Sequence, residues 1–85
     1  MSSTVAHTRN NVDHLVQMAN DIGHFFQSEP DHEAAVAGVA AHIRRYWEPR
    51  MRKHIYAHLD QGGAGFSDIA RDAIARLAEQ AKAAS

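Results

Sequence analysis

Cysteine is absent from the 85-residue sequence. That excludes a disulfide framework, a cysteine nucleophile, a thiolate zinc site and an iron–sulfur cluster on cysteine ligands. The same absence fits a reducing compartment, and the expected location is the cytoplasm. Large apolar residues are scarce as well. The hydrophobic fraction is 45%, but 16 of those residues are alanine and only 16 are Leu, Ile, Val or Phe. No apolar run approaches the roughly 20 residues that cross a bilayer. The polar opening Met1–Asn11 lacks the apolar core of a secretory signal. Charge of one sign is not in excess: Lys+Arg 9 against Asp+Glu 10 gives a net charge of -1. No overall field therefore draws the chain to nucleic acid or to a membrane. The length permits one small domain, too short for a dinucleotide fold or a barrel enzyme. With so few large apolar side chains a lone monomer is marginal, and a partner surface would stabilise it.

What is present is helical periodicity. Val12, Leu15, Val16, Ala19, Ile22 and Phe26 recur at spacings of three and four, which predicts an amphipathic helix over about 11–28. Asn11 is its expected N-cap, and Gly23 marks a close packing contact. Pro30 separates it from a second helix capped by Asp31, whose stripe is Val36, Val39, Ala40, Ile43 and Trp47. Gly38 and the surrounding alanines leave that helix thin, so a neighbour can come near its axis. Pro49 ends it and suits the first turn of a third helix over about 49–60, burying Met51, Ile55 and Leu59. Gly62, Gly63 and Gly65 terminate the third helix, one of them in the left-handed conformation. Ser67 caps a fourth, with Ile69, Ala70, Ala73, Ile74 and Leu77 inward and Asp72 spaced to pair with Arg76. The expected fold class is all-α: a small bundle of three to four short helices. Residues 1–10 form a disordered N-terminal tail, 11–80 a single helical domain and 81–85 a frayed C-terminal tail.

Few constellations point to chemistry. His54 and His58 lie four apart on one helix face, a spacing zinc can use, with His42 or Asp60 as the available third ligand. The metalloprotease glutamate is missing from His-Ile-Tyr-Ala-His, and two histidines at this spacing are more often unconnected. No metal is expected. His7, His14, His24 and His32 share no spacing and read as exposed polar residues. The serines lie in tails, caps or loops, outside any nucleophile-elbow sequence. The Gly62-Gly63-Ala64-Gly65 loop lacks the Lys-Ser/Thr ending of a phosphate loop and follows a helix. No catalytic and no cofactor-binding residue is assigned.

The most unusual stretch is Arg44-Arg45-Tyr46-Trp47-Glu48-Pro49-Arg50-Met51-Arg52-Lys53, which holds five of the nine Lys+Arg residues and the only Trp. Trp, Tyr, Arg and Met are the residues that protein interfaces favour. Arg beside aromatic groups also suits base stacking, but the acidic residues on either side oppose a long polyanion. The plain structural alternative has Trp47 plugging the core while the arginines are solvated or cap helix ends.

Several blocks together resemble the delta subunit of NAD-dependent formate dehydrogenase. They are Leu15-Val16-Gln17-Met18-Ala19-Asn20-Asp21-Ile22-Gly23-His24-Phe25-Phe26, then His42-Ile43-Arg44-Arg45-Tyr46-Trp47-Glu48-Pro49-Arg50-Met51-Arg52, then His58-Leu59-Asp60 and Gly62-Gly63-Ala64-Gly65-Phe66-Ser67. The resemblance spans about residues 12–78 and rests on the order and spacing of these motifs. It implies membership of a cytoplasmic formate dehydrogenase complex. In such complexes the alpha subunit carries a molybdenum or tungsten pterin and Fe–S clusters, and the beta and gamma subunits carry flavin and further clusters. The delta subunit is the small cofactor-free component with a role in assembly or stability. The expectation is thus a non-catalytic subunit without cofactor, docked on the large alpha subunit through Tyr46, Trp47, Arg50, Met51 and Arg52, with Arg50 or Arg52 pairing a partner carboxylate. His42 and His58 would hydrogen-bond helix ends or the partner, without metal. Neither nucleic acid nor membrane is an expected partner. The alternatives are an assembly chaperone that leaves the complex before turnover and a small helical nucleic-acid-binding or regulatory protein.

Overall fold

The computed structural model describes residues 2–84, with side chains from residue 12 onward. Its elements are α1 (Ser2–Phe25), α2 (His32–Tyr46), α3 (Pro49–Asp60) and α4 (Asp68–Ala84), with no strand among the described residues. The all-α expectation holds, with four helices. The side chains of residues 1–11 lie outside those described, but α1 differs from the expected 11–28: it begins at Ser2, so that Asn11 lies within it and not at its N-cap, and it ends at Phe25. The helix α4 runs on to Ala84, through alanines and a lysine that favour helix. No described helix is long and apolar enough to cross a membrane.

The breaks between helices follow from local chemistry. Asp31 is extended (φ -90, ψ 111), and its Oδ1 accepts from the Glu33 N–H at 3.1 Å, so α2 starts on a side-chain cap. At the other end Trp47 (φ -87, ψ 139) and Glu48 (φ -67, ψ 151) are both extended. Glu48 precedes Pro49, whose ring disfavours helical geometry there, and Pro49 then opens α3 where its missing N–H costs nothing. After α3 the backbone turns through Gly62, Gly63 and Gly65, all at positive φ. Gly63 is the most confined: at φ +63, an added Cβ would sit 3.0 Å from Leu59 Cδ1 and 3.1 Å from Phe66 Cδ2. The Ser67 Oγ then accepts from the Ala70 N–H at 3.3 Å, capping α4 as expected.

The core lies where α2 meets α4. Ala35, Val36, Val39, Ala40 and Ile43 face Ala70, Ala73, Ile74 and Leu77, and all of these are buried. Alanine on both sides lets the two backbones approach, which compensates for the small number of large side chains. The helix α1 packs on the other three, burying Leu15, Val16 and Ala19, and α3 contributes Ile55. The close approach also redirects charge. Asp72 and Arg76, expected to pair with each other along α4, instead reach across to α2: Asp72 to His32 at 2.8 Å and Arg76 to Glu33. These pairs are largely exposed and contribute little to stability.

The gap between the end of α1 and α2 is set by Gly38. A Cβ there would lie 2.6 Å from Phe26 Cε1 and 2.9 Å from Phe26 Cδ1, so the missing side chain is what seats the Phe26 ring. Gly38→Ala gains about 1 kcal/mol of helix propensity and loses roughly 1–3 kcal/mol to overpacking. The single variant should therefore melt lower than the parent. In a Phe26→Ala background, where the ring is gone, the same substitution should raise the melting temperature. A thermal double-mutant cycle that shows no change of sign would remove Phe26 as the reason for Gly38.

Candidate docking surface

The extended break at Trp47 and Glu48 divides the aromatic-basic segment between inside and outside. Trp47 is turned into the core at 5% exposure, whereas its neighbour Tyr46 stands 65% exposed. Arg50 is exposed, and Met51 and Arg52 are half-buried. Of the five residues predicted for the interface, the structure brings three together. Tyr46, Trp47 and Met51 line an apolar concavity of about 370 Å³ along with Met18, Asp21, Ile22 and His42. Arg50 and Arg52 lie on the same corner but do not line it. The Arg52 Nε is buried with no hydrogen-bond partner among the described residues, an unsatisfied donor of the kind that calls for an explanation. The Tyr56 phenol, half-buried nearby, is pushed above its ordinary value by burial, with the positive charges of Arg52 and Arg44 pulling the other way. Arg44 itself donates to Gln80 Oε1 at 3.2 Å, and Arg45 lies 5.7 Å from the centroid of the Tyr46 ring.

The concavity continues between α1 and α2 as a second depression of about 300 Å³, lined by Asp21, Ile22, Phe25, Phe26 and His42. The His42 ring tilts against Tyr46 at 4.8 Å, and Phe25 meets Phe26 edge-on at 5.3 Å. Phe25 is 79% exposed. Phe25 and Tyr46 are the large hydrophobic side chains left exposed among the described residues, and both stand on this one groove. The sequence reading placed Tyr46 on a surface and overlooked Phe25. The available signal was its phase: the stripe of α1 steps from Ile22 to Phe26, so Phe25 is an aromatic residue off the buried face.

The histidines do not assemble. His58 Nε2 lies 2.9 Å from the Ala64 carbonyl oxygen, and its ring meets Phe66 edge-on. The ring is thus tied to the loop between α3 and α4 and not to a helix end. His54 is exposed, His42 packs at a tilt against Tyr46, and His32 pairs with Asp72. No three His, Asp or Glu side chains come within reach of one ion among the described residues. A third, polar depression of about 710 Å³ lies between the end of α1 and the start of α4 and includes His24, His32 and Asp68.

The glycine-rich turn is held instead by Asn20, whose role the sequence reading did not foresee. Its Nδ2 donates to the Gly65 carbonyl at 2.8 Å, and its Oδ1 accepts from the Ser67 N–H at 2.9 Å. One side-chain amide thus satisfies two backbone groups of the α3–α4 turn from the C-terminal part of α1. Gly23, one turn further on, is buried against Ser67 and Ala70 of the same junction, but a Cβ there would meet them at only 3.5–3.6 Å, ordinary contact distance, so the expected close approach is not seen.

A family model described as NADH-dependant formate dehydrogenase delta subunit FdsD matches residues 14–74. No curated protein and no solved structure gives a significant match.

Asn20→Ala leaves the Gly65 carbonyl and the Ser67 N–H without their partner, at a cost of roughly 1–3 kcal/mol. Asn20→Asp should also destabilise, because it replaces the donor to Gly65 with a second acceptor. Urea denaturation measures both, and hydrogen exchange at Ser67 should accelerate in the alanine variant. Parent-like midpoints for the two variants would mean that the turn does not depend on Asn20.

Proposed function

The chain belongs to the family of NADH-dependent formate dehydrogenase delta subunits, and on that premise we propose that it is a non-catalytic accessory subunit of the cytoplasmic complex. It docks on the large alpha subunit and contributes to assembly or stability. The family name itself carries the association with formate dehydrogenase. The finer reading draws on the α2–α3 corner, where Tyr46 stands exposed above a concavity floored by Trp47 and Met51. A 65% exposed tyrosine next to arginines is the composition of an interface hot spot. Arg50 is exposed and has no ion-pair partner among the described residues. Its guanidinium can bind a partner carboxylate bidentately. Redox chemistry resides in other chains on this reading, since a chain with no cysteine cannot ligate a conventional cluster.

The test has to spare the core. Trp47→Ala would cost about 3–5 kcal/mol through the cavity it leaves, so loss of binding would then be ambiguous. Tyr46→Ala combined with Arg50→Ala alters exposed side chains only. The double variant should keep the parent's helical circular dichroism and melting temperature while its co-purification with the alpha subunit falls at least about tenfold. Undiminished co-purification of a folded double variant would remove this corner from the interface. The amount of chain in purified, active complex separates a subunit from a departing chaperone: an equimolar share is expected. Steeply salt-dependent binding to unrelated DNA or RNA would favour the nucleic-acid reading instead.

A further inference from the structure

We propose that the groove between α1 and α2 receives an amphipathic helix of the formate dehydrogenase alpha subunit, with a basic residue of that helix against Asp21 and its acidic or C-terminal end toward Arg45. The inference rests on the docked-subunit reading above and adds the occupant and its polarity.

Shape comes first. Met18, Ile22 and Phe25 stand at i, i+4 and i+7 along α1, and His42 and Tyr46 at i and i+4 along α2, so two ridges bound one trough. From Met18 to Phe25 the α1 wall runs about 10 Å, two helical turns at 1.5 Å per residue. That length suits the i, i+3 or i+4, i+7 anchors with which an amphipathic helix enters an apolar groove. A peptide that docks as a β-strand would need an open sheet edge for its backbone hydrogen bonds, and the described residues contain no strand. The walls are almost wholly apolar, so an occupant gains by burying carbon.

Charge then gives the orientation. Asp21 borders both halves of the groove and has no ion-pair partner among the described residues. At the Tyr46 end of the groove, Arg45 lies by the Tyr46 ring with no carboxylate partner among the described residues. A helix with a cation placed toward Asp21 satisfies the first. One whose C-terminal carbonyls or acidic side chains end near Arg45 satisfies the second through the negative end of its dipole. A second copy of this chain fits less well. Two-fold pairing sets groove against groove, concave on concave, and leaves the trough unfilled.

The test uses the full-length chain and a purified complex prepared without it. A photo-crosslinking phenylalanine analogue at position 25 should form an adduct with one helical segment of the alpha subunit that carries Lys or Arg. Asp21→Lys and Phe25→Asp should each weaken binding at least tenfold with unchanged melting temperature, while Glu79→Lys on α4 leaves it unaltered. Crosslinking to a second copy would overturn the proposal in favour of self-association. Binding that survives both groove variants would overturn it while leaving the docked-subunit reading intact. A parent chain that never joins the complex would overturn both readings.

Discussion

Two extended residues ahead of a proline ring organise this molecule. A helix running from α2 into α3 would place residues 46 and 47 about 100° apart on a continuous cylinder. Because Glu48 cannot comfortably adopt helical geometry before Pro49, the chain leaves α2 at Trp47 and starts afresh. The Trp47 indole becomes part of the core at the junction, and Tyr46 is left on the outside. The same break sets α3 against α1 and α4, so that Ile55 completes the core while Met51 floors a surface concavity. One steric restriction thus serves folding and leaves Tyr46 exposed above the concavity. Changing it would disturb both, which is why the informative substitutions are the exposed ones.

The second organising feature is economy of side-chain volume. The α2–α4 contact is built from small residues on both faces, and these helices touch over more of their surface than any other pair. Close backbones give good packing for little hydrophobic area. They also leave long side chains free to span the two helices, which explains the His32–Asp72 and Glu33–Arg76 pairs. On the other side of α2 the contact with α1 cannot be as tight, because Phe26 fills the space that Gly38 vacates. Thickness on that side opens the groove. A tight seam on one flank and an aromatic spacer on the other give α2 one solvated edge and one apolar trough.

Most of the architecture could be read from the sequence because its signals are local. Prolines, the Asp31 and Ser67 caps and the glycine cluster mark where helices stop and start, and 49–60 for α3 coincides with its observed bounds. The Trp47 outcome was legible too, since position 47 continues the stripe of Val36, Val39, Ala40 and Ile43. What was hidden depends on contacts distant in sequence. Asn20 reaches Gly65 and Ser67 across more than 40 positions, and nothing in the pattern around Asn20 announces that partner. The Asp72–Arg76 pairing was inferred from spacing on one helix, and it lost to charges on a second helix that the periodicity could not position. Phe25 was visible as an off-phase aromatic residue, but its meaning required knowing that His42 and Tyr46 stand opposite.

Exposure of Phe25 and Tyr46 carries more weight in this chain than in an ordinary one. Isolated apolar side chains on a surface are common and need no explanation. Here, however, only 16 residues are Leu, Ile, Val or Phe, and the buried core still draws on alanine to close. Folding alone would favour using a phenylalanine inside. Placing Phe25 at 79% exposure, across a trough from a 65% exposed tyrosine, withholds apolar area from a molecule that has little to spare. Such an arrangement is stable in use if another surface covers it, because a partner that binds only the folded state adds its binding energy to the folding equilibrium. On the proposed docking, the scarcity of core and the surplus at the groove are two sides of one property, with burial completed by a partner surface.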